Sequence, residues 1–188
     1  MSIFSEKKKF LFIHIEKNAG ISLVNALSKG LKIKWTKKLF YYGPFKNDSG
    51  VFLSKYEKYF GKENILNWYK FCISRNPLDR MISWYNYNGF RYGSFNLWMY
   101  KFFDQNFDQI NYIRYENGEI GIDEVFKLEE ISTKWAIIEK KLNFKTSLPH
   151  KNLSFKLINR NDINIKQKKN IYERFYKDYK FFEYPKDY

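Results

Sequence analysis

The chain has 188 residues and is strongly basic, with 34 Lys plus Arg against 20 Asp plus Glu and a formal net charge of +14. Hydrophobic residues make up 44% and aromatics 21%, which excludes a disordered chain, and the length suffices for one core-forming domain spanning 1–188. The charge favours an anionic partner: a nucleotide, an acidic glycan, nucleic acid or, peripherally, a membrane surface. Cys72 is the only cysteine, so an internal disulfide is excluded.

Phe10–Ile15 is an apolar run with His14 within it, the pattern of a central parallel strand, and far too short to span a bilayer. Glu16 and Lys17 follow it where small cleavage-site residues would stand in a signal peptide, so the expected location is the cytoplasm. Ile21–Leu31 reads as a helix with Ile21, Val24, Leu27 and Leu31 along one stripe. The basic, aromatic stretch 32–67 is broken at Gly43-Pro44 and Ser49-Gly50 and carries a short helix over Leu53–Phe60. Tyr69–Ser74 reads as a second buried strand, in which Cys72 is expected to be inert. Next, Asn76 suits an N-cap, Pro77 the first helical position and Asp79 the first turn, predicting a helix to Tyr87 that buries Met81, Trp84 and Tyr85. Asn96–Phe107 is an aromatic-rich helix, Asn117-Gly118 a turn, Val125–Leu128 a strand and Ile131–Leu142 a helix. Ile165–Phe182 is a terminal helix with Ile171, Phe175 and Tyr179 at four-residue spacing. Strands alternating with helices predict an α/β protein built on a central parallel sheet flanked by helices.

Two strand-to-helix corners carry the chemistry. At the first, Glu16-Lys17-Asn18-Ala19-Gly20-Ile21-Ser22 leads from strand to helix. A helix N-terminus presents backbone N–H groups and the positive end of its dipole to an anion. Gly20 permits close backbone approach, Lys17 adds a full charge and Ser22 a hydroxyl, the parts of a phosphate-binding loop. The ATPase pattern G-x-x-x-x-G-K-[ST] is absent, because the lysine here precedes the glycine. At the second corner Arg75 ends a strand and Ser83 lies two turns into the next helix, so both suit another phosphate.

FIHIEKNAGIS (Phe12–Ser22) resembles the loop, close to FIHIPKTAGTS, with which sulfotransferases hold the 5′-phosphosulfate of 3′-phosphoadenosine 5′-phosphosulfate (PAPS). FCISRNPLDRMISWY (Phe71–Tyr85) is similar to the same family's 3′-phosphate motif. GEIGIDEVFKLEEI, SLPHKNLS and IYERFYKDYKFFEY resemble three further segments of carbohydrate-type members, so the likeness covers essentially the whole chain. The resemblance implies a P-loop-kinase-like fold and sulfuryl transfer to a hydroxyl or amine of an acceptor, a carbohydrate by family analogy. It implies that Lys17, Asn18, Ala19, Gly20, Ile21 and Ser22 wrap the 5′-phosphosulfate and that Arg75 and Ser83 hold the 3′-phosphate.

The resemblance also implies that Lys17 stabilises charge on the bridging oxygen and that a base removes the acceptor proton. The transferred group carries a single negative charge, so no bridging metal is expected. His14, His150, Asp48 and Glu16 remain open as the base. His14 equally suits a buried structural role, and His150 the ordering of its Leu-Pro-His loop. Three departures stand out: Glu16 replaces a proline, Asn18 replaces a threonine while keeping a donor, and Lys46-Asn47-Asp48-Ser49 lacks a histidine that relatives carry nearby. Aromatic and basic residues between Trp35 and Tyr59 and around Phe90–Phe103 suit a sugar cleft, with Lys46, Arg91 and Lys101 facing an acidic acceptor. Trp84, Trp98 and Trp135, at helical spacings, suit the core. Two other functions fit the same features: a non-catalytic module binding adenosine 3′,5′-bisphosphate, and a basic-aromatic binder of single-stranded nucleic acid. Core periodicity of the aromatics and the paired anion corners argue against the second, so no nucleic-acid partner is expected.

Overall fold

The computed structural model describes residues 2–33, 52–102, 108–148 and 156–188. Along the chain run β1 (Ile3–Ser5), β2 (Phe10–Ile13), α1 (Gly20–Gly30), α2 (Leu53–Phe60), α3 (Lys62–Leu66), β3 (Tyr69–Ser74) and α4 (Pro77–Tyr87). They are followed by α5 (Phe95–Phe102), α6 (Gln109–Tyr112), β4 (Glu124–Lys127), α7 (Ile131–Leu142), α8 (Ile165–Arg174) and α9 (Tyr176–Phe181). The protein is α/β, and it divides into two compact units: Met1–Ser74 with Asn111–Lys151, and Arg75–Ile110 with Asn152–Tyr188.

The first unit holds a four-stranded sheet in the order β1-β2-β3-β4. β2, β3 and β4 are parallel, as expected, but β1 runs antiparallel to β2, so the sheet is mixed rather than purely parallel. Chain length dictates the difference. Only residues 6–9 separate β1 from β2, and a link that short closes a hairpin, whereas a parallel pair needs a crossover of about a dozen residues. Lys9, with φ 50°, makes the turn.

Side chains alternate across the sheet, as the pleat requires. Phe10, Phe12, Phe71, Ile73 and Phe126 join Leu23, Val24, Ala26 and Leu27 of α1 and Ile131, Trp135, Ile138 and Leu142 of α7 in one core. Each such large side chain, fully buried, stabilises the fold by about 1.5–3 kcal/mol. Cys72 points the other way from Phe71 and Ile73, is completely buried, and pairs with Ile13 and Val125 on the flanking strands. Burial pushes its thiol pKa well up, consistent with the inert cysteine expected. Phe4 of β1 packs its ring against Tyr56, Phe60 and Trp68, which anchors α2.

Ile21 does not belong to the buried stripe of α1, and it stands 49% exposed. At about 100° per residue it lies across the helix from the arc centred on Leu23 and Leu27, so the buried face is set by Leu23, Val24, Ala26 and Leu27.

The second unit is helical. Leu78, Met81, Ile82 and Tyr85 of α4 pack with Phe95, Trp98 and Met99 of α5 and with Ile163, Ile171, Phe175 and Tyr179. Trp98 and Trp135 are core residues as expected, and Trp84 is partly buried beside this cluster. The expected terminal helix is broken at Phe175 into α8 and α9, yet Ile171, Phe175 and Tyr179 remain on one buried face across the break. Arg160 clasps both carboxylate oxygens of Asp79 at 2.6 and 2.9 Å and reaches Asp187 at 2.7 Å, fastening the C-terminal segment to α4. Among the described residues, no helix is long and apolar enough to cross a membrane.

Candidate functional site

The turn between β2 and α1 belongs to the first unit. Lys17 and Ala19 both adopt left-handed backbone, with φ of 69° and 56°, on either side of Asn18. A non-glycine residue in this region costs of order 1 kcal/mol, so two of them within three residues mark a built feature. Within this turn the Asn18 N–H donates to the Ile15 carbonyl at 3.3 Å, closing the loop as the chain leaves β2. Ala19 is the N-cap of α1 and offers no side-chain cap, and no carboxylate sits in the first turn.

Asn18 is almost fully buried, and its Nδ2 donates to the Ile73 carbonyl of β3 at 2.7 Å. Its amide thus ties the turn to the neighbouring strand. The need for glycine at position 20 is internal: a Cβ there would lie 1.9 Å from both Cδ2 and Nε2 of His14. The buried His14 ring is pressed against the first residue of α1, while its backbone N–H donates to Ser2 Oγ at 3.0 Å. His14 thereby acts as a wedge that sets the start of the helix. Glu16 and Lys17 are half-buried and Ser22 is buried in the first turn.

The turn between β3 and α4 leads into the second unit and is built differently. Asn76 Oδ1 accepts from the backbone N–H groups of Leu78 (2.9 Å) and Asp79 (3.4 Å), Pro77 occupies the first turn, and Asp79 supplies the carboxylate. This is the capped start that the sequence indicates. Its helix-end donors are used internally, and the Arg75 and Ser83 side chains beside it are both half-buried. Arg75 is itself held: its N–H donates to Gln109 Oε1 at 3.0 Å, and its carbonyl accepts from Gln109 Nε2 at 2.8 Å. Gln109 N–H and Ile110 N–H donate in turn to the Asp178 carboxylate, at 2.7 and 2.9 Å. Burial outweighs these donors and the nearby Arg80, pushing the Asp178 pKa up to about 6.

Lys17, Asn18, Ala19, Gly20, Ile21 and Ser22 therefore form one turn with His14 beneath it, and Arg75 and Ser83 belong to the other unit. Asp48, His150 and Lys46 lie outside the described residues. Gln109 carried no sequence signal; Asp178 sits within the terminal segment IYERFYKDYKFFEY, which at least marked its neighbourhood. Among the described residues, no three His, Cys, Asp or Glu side chains converge on a metal position. No family model, curated protein or solved structure matches the chain.

Proposed function

We propose that the protein transfers a sulfuryl group from PAPS to a hydroxyl, or an amine, of a carbohydrate acceptor. The acceptor atom attacks sulfur, the bond from sulfur to the 5′-phosphate oxygen breaks, and adenosine 3′,5′-bisphosphate leaves with the electron pair. The acceptor's proton passes to a base. The observation that carries this reading is the left-handed turn at Lys17 and Ala19, set at the uncapped start of α1.

On this reading Lys17 to Ser22 hold the 5′-phosphosulfate through backbone N–H groups, with the Lys17 ammonium facing the bridging oxygen where charge develops. Arg75 and Ser83 hold the 3′-phosphate, the arginine through its planar fork. The P-loop-kinase-like description of the sheet belongs to the same proposal and is supported by the strand–turn–helix order of β2 and α1. The proton acceptor is one of His14, His150, Asp48 and Glu16. Exposed Phe90, Tyr92 and Tyr100, with Arg91 and Lys101 on the same stretch of chain, supply aromatic faces and positive charge suited to an acidic sugar. A cytoplasmic location is part of the proposal.

The test is a thermal-shift titration with adenosine 3′,5′-bisphosphate on the wild type, Lys17→Ala and Arg75→Ala, followed by sulfate-transfer assays. The wild type is expected to be stabilised as RT ln(1 + [L]/Kd) dictates, and both variants to need more ligand for the same shift. Lys17→Ala should lower turnover by about 100-fold or more, the usual loss when a donor to the developing charge is removed. Absence of any shift in the wild type would sink the reading. Binding without transfer across a broad acceptor panel would leave a nucleotide-binding module.

A further inference from the structure

Gln109 is completely buried, and both polar atoms of its side chain hydrogen-bond the backbone of Arg75. Burying an amide is costly unless it is hydrogen-bonded, and here the pairing is reciprocal: the Gln109 oxygen accepts from the Arg75 N–H and its NH2 donates to the Arg75 carbonyl. Arg75 lies one residue beyond the end of β3 and outside its strand ladder, so Gln109 gives it the pairing that a neighbouring strand would otherwise provide. Glutamate could not donate to the carbonyl, and asparagine is one methylene shorter. Gln109 is in turn fixed by the buried Asp178, whose two oxygens take the N–H groups of Gln109 and Ile110.

We infer that Gln109, anchored by Asp178, is a positioning residue that fixes the Arg75 backbone and so aims its guanidinium at the 3′-phosphate of the nucleotide. This rests on the sulfuryl-donor reading above. A brace with a merely structural role would lower stability and weaken all nucleotides alike. A positioning brace acts on the 3′-phosphate alone.

The experiment compares the affinities of adenosine 3′,5′-bisphosphate and adenosine 5′-phosphate for the wild type and Gln109→Met, which keeps the side chain's length but loses both hydrogen bonds. The wild type should prefer the bisphosphate. In the variant, bisphosphate affinity should fall about tenfold while 5′-phosphate affinity stays within about twofold. A variant that keeps the full preference overturns the inference and leaves the sulfuryl-donor reading standing. A wild type that does not distinguish the two nucleotides overturns that reading, and the inference with it. Should Gln109→Met fail to fold, the wild type decides through the Gln109 side-chain amide resonances. They should move during titration with the bisphosphate and stay in place with the 5′-phosphate; equal movement with both, or none, overturns the inference.

Discussion

The two strand-to-helix turns solve the same problem in opposite ways. α4 starts with Asn76, Pro77 and Asp79, which satisfy its first donors and its dipole from within the sequence. α1 starts with Ala19 in a left-handed conformation, a glycine under a histidine ring, and no side-chain cap. The first arrangement stabilises a helix. The second starts its helix without a side-chain cap and accepts backbone strain, a cost that a ligand can repay. The two turns therefore differ in physical content: strained backbone and a helix dipole at Lys17–Ser22, a side-chain charge beside an internally capped helix at Arg75.

Four perturbations sharpen or break this contrast. The largest effect is expected at Gly20. Gly20→Ala forces a methyl group into the His14 ring and should cost about 3 kcal/mol in urea denaturation. In the His14→Ala background the same change should cost at least about 1 kcal/mol less. Additive losses would mean that the wedge does not set the helix start.

Next comes Asp178, which underpins the second turn. Its pKa is raised to about 6 in the folded protein, above the ordinary aspartate value near 3.9 in the unfolded chain. Between these values the folded state binds more protons, so this group's stabilisation is greatest below about pH 4 and declines as pH rises towards 6. Asp178→Asn should flatten that decline, whose size is at most about 3 kcal/mol. A wild-type and variant difference that does not change with pH across this window would refute it.

Asn76→Ala removes the cap of α4 and should cost about 1 kcal/mol in chemical denaturation. Its amide also meets Asp187, at 3.2 Å from one carboxylate oxygen. A neutral result would show that α4 starts no better capped than α1. The smallest effect belongs to Ile21→Ser, at the exposed position of the uncapped helix, expected to change stability by less than about 0.5 kcal/mol. A loss of several times that would put Ile21 back in the core stripe.

Much of this fold could be read from residue types. β3 and α4 meet their expected limits because the apolar run ends at a cap whose every residue has a mechanism. α1 and its turn were legible from the apolar run into Gly20, although Ile21 was misplaced because stripe membership depends on which arc faces the sheet. β1 was not legible: three residues, Ile3–Ser5, show no periodicity, and they form a strand only because the hairpin delivers them to β2. The break at Phe175 has no proline or glycine to announce it. At the site, charged and small residues signalled themselves, but Gln109 did not. A glutamine buried against backbone looks in sequence like any surface glutamine, and only its partners give it a role.

Cys72 gives the molecule a built-in clock. The sole thiol lies at the centre of the sheet, fully covered, with its pKa pushed up by burial, so a thiol reagent can react only after the middle strand has been uncovered. Labelling kinetics without any engineered probe would therefore time the opening of the strands that support the first turn. Slower labelling with a bound nucleotide would report how far ligand binding is felt at their centre.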